Sequence, residues 1–313
     1  MPGACLRLTR LMPDSRQDGL IIASSSDRLD IDTASAPFDR LRGIHPLASD
    51  RSGRAADNHA RHQLYAARDT HTAAGVLVKV TSKPGLVYEQ NLANEAASLA
   101  TIKRELPTCP YFPDLIDHGR LADGRMYLVM SLFEEFPLAT TIGTEPLPDR
   151  MVRHLRTTLE VTQALTALHR LPIFHVDLNP MNILSRREKE NPIIRIVDFE
   201  SSYEPARHAH GTFYNPPTTP GYSAPETSHQ PPDARSDIFS LGAVLYTMIA
   251  GFAWSWEGDI GSRAEADRDM DSELREIVLR AVDPDPARRY ESVEPFRDAI
   301  AAYLERIWPG RSW

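Results

Sequence analysis

Two short runs constrain this chain more than the rest of it together: His175-Val176-Asp177-Leu178-Asn179-Pro180-Met181-Asn182 and, further on, Val197-Asp198-Phe199-Glu200. An Asp can take or orient the proton of an attacking hydroxyl, and an Asn with a second Asp can hold a divalent cation against phosphate groups. A lone His-x-Asp would be an ordinary solvated turn. Here the order of the residues, the spacing of the two runs and the apolar strand Ile193-Ile194-Arg195-Ile196-Val197 ahead of Asp198 set the pair apart from such a turn.

Periodicity divides the chain. Residues 1–38 are rich in Ser, Asp, Arg and Pro and read as a mobile extension, apart from the apolar patch Leu20-Ile21-Ile22. From Phe38 to Glu135 strand signals dominate: Gln63-Leu64-Tyr65-Ala66-Ala67, Gly75-Val76-Leu77-Val78-Lys79-Val80 and Met126-Tyr127-Leu128-Val129-Met130, with one helix over 87–106. Beyond Leu147 the spacing turns helical, over 150–169, 237–250, 271–282 and 292–307. The expectation is an α+β, bilobal domain over 39–308. It comprises a small β-rich lobe (39–131), a hinge (131–137) and a larger helical lobe (138–308), with a tail at 309–313. No internal repeat suggests a solenoid.

Composition excludes several function classes. With 313 residues, 42% hydrophobic and 25% charged, the chain matches an ordinary globular protein. A net charge of -8 argues against a broad electrostatic grip on nucleic acid, so no nucleic-acid partner is expected. Cys5 and Cys109 cannot build a disulfide framework and fit a reducing compartment. Neither a signal peptide at Met1 to Asp14 nor a bilayer-spanning run is visible, which together predicts a cytoplasmic protein without a membrane span.

The two runs resemble H-R-D-L-x-x-x-N and D-F-G, the catalytic loop and metal-binding segment of protein kinases. Downstream, Thr218-Thr219-Pro220-Gly221-Tyr222-Ser223-Ala224-Pro225-Glu226 is similar to the segment ending in A-P-E, and Ser236-Asp237-Ile238-Phe239-Ser240-Leu241-Gly242 to the D-x-x-S-L-G helix start. Asp285-Pro286-Ala287-Arg288-Arg289-Tyr290 completes the set. The resemblance spans residues 40–308 and is to eukaryotic-like Ser/Thr protein kinases. It implies ATP with Mg²⁺ or Mn²⁺, a protein substrate with a Ser or Thr acceptor or the chain itself, Asp177 as catalytic base, and Asn182 with Asp198 as metal ligands. Around the nucleotide it implies Leu64, Val78 and Lys79, Met130 behind the adenine, and Leu132 and Phe133 offering hinge backbone. Glu226 would pair with Arg289, and Asp237 would brace the catalytic loop. Thr219 stands where Ser/Thr kinases place a threonine facing the catalytic Asp.

Lys79 is the only charged residue of its apolar strand. A strand lysine ordinarily ends in solvent, but this one resembles the lysine of V-A-I-K, which reaches ATP phosphates and pairs with a helix glutamate. Glu89 and Glu95 compete for it. Leu92, Ala96, Leu99 and Ile102 define one helical arc; Glu95 falls inside it and Glu89 just past its edge, in the first turn, where a solvated carboxylate suits the helix dipole. A buried carboxylate needs a cation, which favours Glu95 without excluding Glu89.

Four departures from the pattern matter. Counting back from Lys79 puts Asp57, His59 and His62 where G-x-G-x-x-G has its glycines, which let backbone approach phosphate closely. Gly53 is the nearest glycine. Either Arg54, His59, Arg61 and His62 supply cationic contacts instead, or the loop touches no nucleotide. Asn179 replaces a lysine that neutralises transferring phosphate. Glu200 replaces the D-F-G glycine, as in choline-type small-molecule kinases. Val176 replaces the H-R-D arginine and cannot meet a phosphorylated activation loop. His208 and His210 read as a solvated pair rather than metal ligands. Three readings follow: an active Ser/Thr kinase, a pseudokinase serving as a binding module, and a kinase-fold enzyme acting on a non-protein hydroxyl.

Overall fold

The computed structural model describes residues 37–47, 61–142, 149–186, 192–208, 219–251, 259–268 and 270–309. The expected extension lies outside them except for Pro37 and Phe38. Phe38 belongs to the fold: it is buried, with its ring 5.0 Å from that of Tyr127.

An antiparallel sheet forms the first lobe, from β1 (Leu41–Pro46), β2 (His62–Asp69), β3 (Gly75–Thr81), β4 (Leu115–Arg120) and β5 (Met126–Ser131), in the order β1-β2-β3-β5-β4. Strand alternation sorts its side chains. Val76, Val78, Val80, Tyr127 and Val129 join Phe38, Leu41 and Tyr65 in a cluster on one face. Leu77, Leu128 and Met130 turn to the other, where helix α1 (Leu86–Glu105) packs through Leu92, Ala96, Leu99 and Ile102. β1 and β4 escaped the sequence reading because Gly43 and Pro46 interrupt one and Asp117, His118 and Gly119 dilute the apolar pattern of the other.

Residues 132–135 and the two-residue strand β6 (Phe136–Pro137) lead into the second lobe. There α2 (Asp149–His169) is followed by β7 (Ile183–Arg186) and β8 (Ile193–Ile196), which with β6 make a small sheet in the order β6-β7-β8. A single helical turn α3 (Pro205–His208) precedes α4 (Ala234–Ala250), α5 (Ile260–Ala266), α6 (Ser272–Ala281) and α7 (Val293–Ile307). α4 is buried almost throughout. It lies so close to α6 that a Cβ on Gly242 would meet the Ala281 side chain at 2.6 Å, so only glycine fits there. No helix among the described residues is long and apolar enough to cross a membrane.

Candidate active site

The loop 175–182 is irregular backbone crossing the core, so its polar groups need internal partners. Asp237, fully buried in the first turn of α4, supplies two: its carboxylate accepts from the N–H of His175 at 2.9 Å and of Val176 at 2.6 Å, and His169 Nε2 lies 2.8 Å away. This bracing holds Val176, a β-branched residue, at φ 69°, a conformation it would not adopt unaided. His175 Nε2 reaches the Val197 carbonyl at 3.0 Å, and its ring meets Phe199 edge-on at 4.9 Å, which ties the two signature runs together.

Asp177 emerges from this frame partly exposed. Its Oδ1 accepts from the Thr219 hydroxyl at 2.6 Å. Asn182 Nδ2 donates to the Asp177 carbonyl at 2.9 Å and to Oδ2 at 3.3 Å, which leaves the Asn182 amide oxygen as the ligand-type atom. Burial is the main influence on Asp177 and pushes its carboxyl up to about 6, against the pull of the Thr219 hydrogen bond. Asn179 is a local brace: it donates to the Asp177 carbonyl and accepts from the Met181 N–H.

Lys79 sits on β3 with its ammonium ringed by carboxylates. Its Nζ donates to Glu95 Oε2 at 2.8 Å, to Asp198 Oδ1 at 3.0 Å and to Glu200 Oε1. Glu89 instead bonds Arg120 at 2.7 Å and the Gly85 N–H at 3.0 Å, and these bonds bring it down to about 2. Burial opposes charge on Lys79, but Asp198, Glu200 and Glu95 outweigh it and hold the amine well above its ordinary value. For Glu95, which is 1% exposed, burial prevails over Lys79 and raises the carboxyl to about 7. Asp198 adopts φ 69°, so strained backbone lies at the cleft itself. Oxygens of Glu95, Asp198 and Glu200 lie within 4.8 Å of one another, a donor set suited in type to a hard divalent cation.

The expected nucleotide positions divide. Leu64 is opposite Lys79 in the strand register and shares its face, and Met130 lies opposite Leu77 on that face. Val78 does not: pleat alternation turns it to the other face, fully buried among Val76, Val80 and Val129. Leu77 is the residue that the reading missed, and strict period-2 counting from Lys79 finds it. The Leu132 N–H is engaged by the Gly75 carbonyl at 3.1 Å, and Phe133 lies under the Arg195 guanidinium at 5.0 Å. His208 is not solvated; it is buried, with Nε2 3.1 Å from Asn94 Oδ1. His210 and the loop positions Gly53, Arg54, Asp57 and His59 lie outside the described residues, whereas His62 is buried beside Glu200.

Farther into the helical lobe, Glu226 and Arg289 form a two-pronged pair, both bonds at 2.8 Å. A family model for the protein kinase domain matches residues 62–308, most of the chain. The chain belongs to the protein kinase family. Among curated kinases, the Serine/threonine-protein kinase Pkn1 of Myxococcus xanthus is 30% identical over 199 residues, 58% of this chain and 28% of that protein. The Serine/threonine-protein kinase pkn3 of the same organism is 25% identical over 246 residues, 69% of this chain and 44% of its own length. The kinase domain thus spans less than half of these relatives. In fold it is similar to the Mycobacterium tuberculosis PknI kinase domain, with a TM-score of 0.56 at 20% identity, covering 84% of this chain and 96% of that one.

Proposed function

We propose that residues 39–308 form a Ser/Thr protein kinase domain that passes the γ-phosphate of ATP to a protein hydroxyl, with Mg²⁺ or Mn²⁺. The observation that carries the reading is the convergence of Asp177, Asn182, Asp198, Lys79 and Glu95 on one cleft between the sheet and the helical lobe. Asn182 and Asp198 would hold the metal, which when bound offsets charge on the phosphate oxygens. Lys79, oriented by Glu95, presents an ammonium to the phosphates; Asp177 orients the acceptor hydroxyl, as it already does the hydroxyl of Thr219. The lower edge of the domain at residue 39 is supported by β1, which completes the sheet ahead of the family match. Relatives named Serine/threonine-protein kinase support the acceptor class.

Transfer of labelled γ-phosphate with each metal, to the chain itself and to generic protein substrates, tests this. A folded protein that binds no ATP with either metal and phosphorylates nothing would leave the pseudokinase reading, which the crowding of Lys79 by three carboxylates favours. Because Val176 replaces the arginine that meets a loop phosphate, phosphatase treatment should leave transfer unchanged. Loss on dephosphorylation with recovery on rephosphorylation of Ser201, Ser202, Thr212, Thr218 or Thr219 would contradict that.

A further inference from the structure

Two departures from the kinase pattern touch each other. His62 occupies the place of the last glycine of G-x-G-x-x-G, and Glu200 that of the glycine of D-F-G. His62 pairs with Thr81, and Leu64 with Lys79, in the β2–β3 register, so His62 and Lys79 are diagonal neighbours on one sheet face, two rungs apart. Glu200 enters between them. Its Oε1 accepts from His62 Nδ1 at 2.9 Å and also from Lys79 Nζ. An ionised carboxylate can only accept, so Nδ1 carries the hydrogen.

The backbone around Glu200 is held as well. Asn94, the neighbour of Glu95 on α1, donates through Nδ2 to the carbonyls of Glu200 at 3.0 Å and Ser202 at 2.8 Å. Among the described residues, only Ala73, Val176 and Asp198 are non-glycines at positive φ, so position 200 has no backbone need for glycine. His62 is 8% exposed, and the Glu200 side chain 13%. Chance surface substitutions would not meet in a buried bond to Lys79.

We infer that His62 and Glu200 act as a coupled positioning pair for Lys79, fixing its ammonium through one bridging carboxylate oxygen where the family has two glycines. The inference rests on the proposed kinase reading for its purpose. Glu200 and His62 need not touch nucleotide; they act through Lys79, and the bridge links β2 to the segment following Asp198.

A double-mutant cycle on the full chain tests the pair, using two readouts. Without nucleotide, the rate at which an amine-selective acylating reagent modifies Lys79, followed by peptide mass spectrometry, reports the restraint on Nζ without requiring transfer. Glu200→Gln and His62→Gln should each raise that rate by about tenfold, the scale of one lost charged hydrogen bond, and together no further. With Mg-ATP, the same variants should raise KM more than they lower kcat. The pair His62→Gly with Glu200→Gly should lose no more than Glu200→Gly alone; if either glycine variant fails to melt cooperatively, the glutamine cycle decides. A parent-like Lys79 rate in His62→Gln, or independent addition of the two effects, overturns the pairing. A coupled cycle in a parent that transfers no phosphate leaves the pair standing and removes the kinase reading instead.

Discussion

Two buried ionic clusters lie at opposite extremes of charge balance. Around Glu226 and Arg289 one carboxylate meets one guanidinium; Ser236 donates to the same carboxylate, and Arg289 spends its remaining donors on the carbonyls of Asp283, Arg235 and Pro284. Although burial opposes it, Glu226 is held below its ordinary value by Arg289. Around Lys79 one ammonium faces Glu95, Asp198 and Glu200, and the Asp198 side chain is 39% exposed. A closed, neutral pair can only hold the fold together. A cluster with surplus negative charge at an open mouth has room for a cation, which is the arrangement a metal-dependent transfer reaction needs.

The contrast breaks first, and most visibly, at the acceptor side of the cleft. Asp177→Ala and Asp198→Ala should each lower γ-phosphate transfer by a factor on the order of 10³ while thermal melts stay cooperative. If both unfold the protein, the cleft is a structural element and the functional contrast disappears. Arg289→Ala should do the reverse. It strands a buried carboxylate and should cost about 3–5 kcal/mol in urea denaturation, because breaking one side of a sealed pair leaves the other charge uncompensated.

Glu95→Gln sharpens the comparison from inside the open cluster. It removes one of three carboxylates around a single ammonium, so stability should move far less than in Arg289→Ala, while turnover falls about 10²-fold as Lys79 loses its orientation. Glu89→Gln, bonded to Arg120 at the surface, should resemble the parent in both measurements. Equal turnover losses from the two glutamate changes would mean that Glu95 does not orient Lys79.

The smallest effect separates burial from pairing. His154 on α2 is 1% exposed, has no acidic partner for its ring among the described residues, and lies beside Arg153; burial, reinforced by Arg153 and Arg150, brings it down to about 3. The folded form therefore resists a proton that the unfolded chain accepts near pH 6.5. Stability is complete above that pH and falls on acidification towards 3, by about 2 kcal/mol at pH 5 from this group. His154→Gln should flatten that part of the urea midpoint against pH; an unchanged slope would show the ring to be protonated in the fold.

Much of the site was legible because it is local. The loop 175–182 carries Asp177, Asn179 and Asn182 on consecutive turns of chain, and their mutual hydrogen bonds follow from that proximity. The bilobal α+β fold could likewise be read, since the change from period 2 to period 3.6 marks where strands give way to helices. The helical arc placed Glu95 on the buried side of α1, where it bonds Lys79. Val78 shows the limit of motif reading: V-A-I-K names four residues, but the pleat turns only alternate ones to the cleft, and Leu77 is the one on the Lys79 face. His208 shows another. A polar residue in a Pro-rich segment looks solvated until α1 brings Asn94 against it.

From its own order of residues this chain determined which loop brings Asp177, Asn179 and Asn182 together, the strand and helix periods, and the carboxylate that belongs on the inner face of α1, since each depends on neighbours a few positions away. Tertiary structure alone decided that His62 meets Glu200 and that Glu200 becomes a third carboxylate on Lys79. Those contacts join segments far apart in the chain. Their energies arise from charges and hydrogen bonds brought out of water by the packing of the two lobes, and no local pattern encodes which buried donor will find which acceptor.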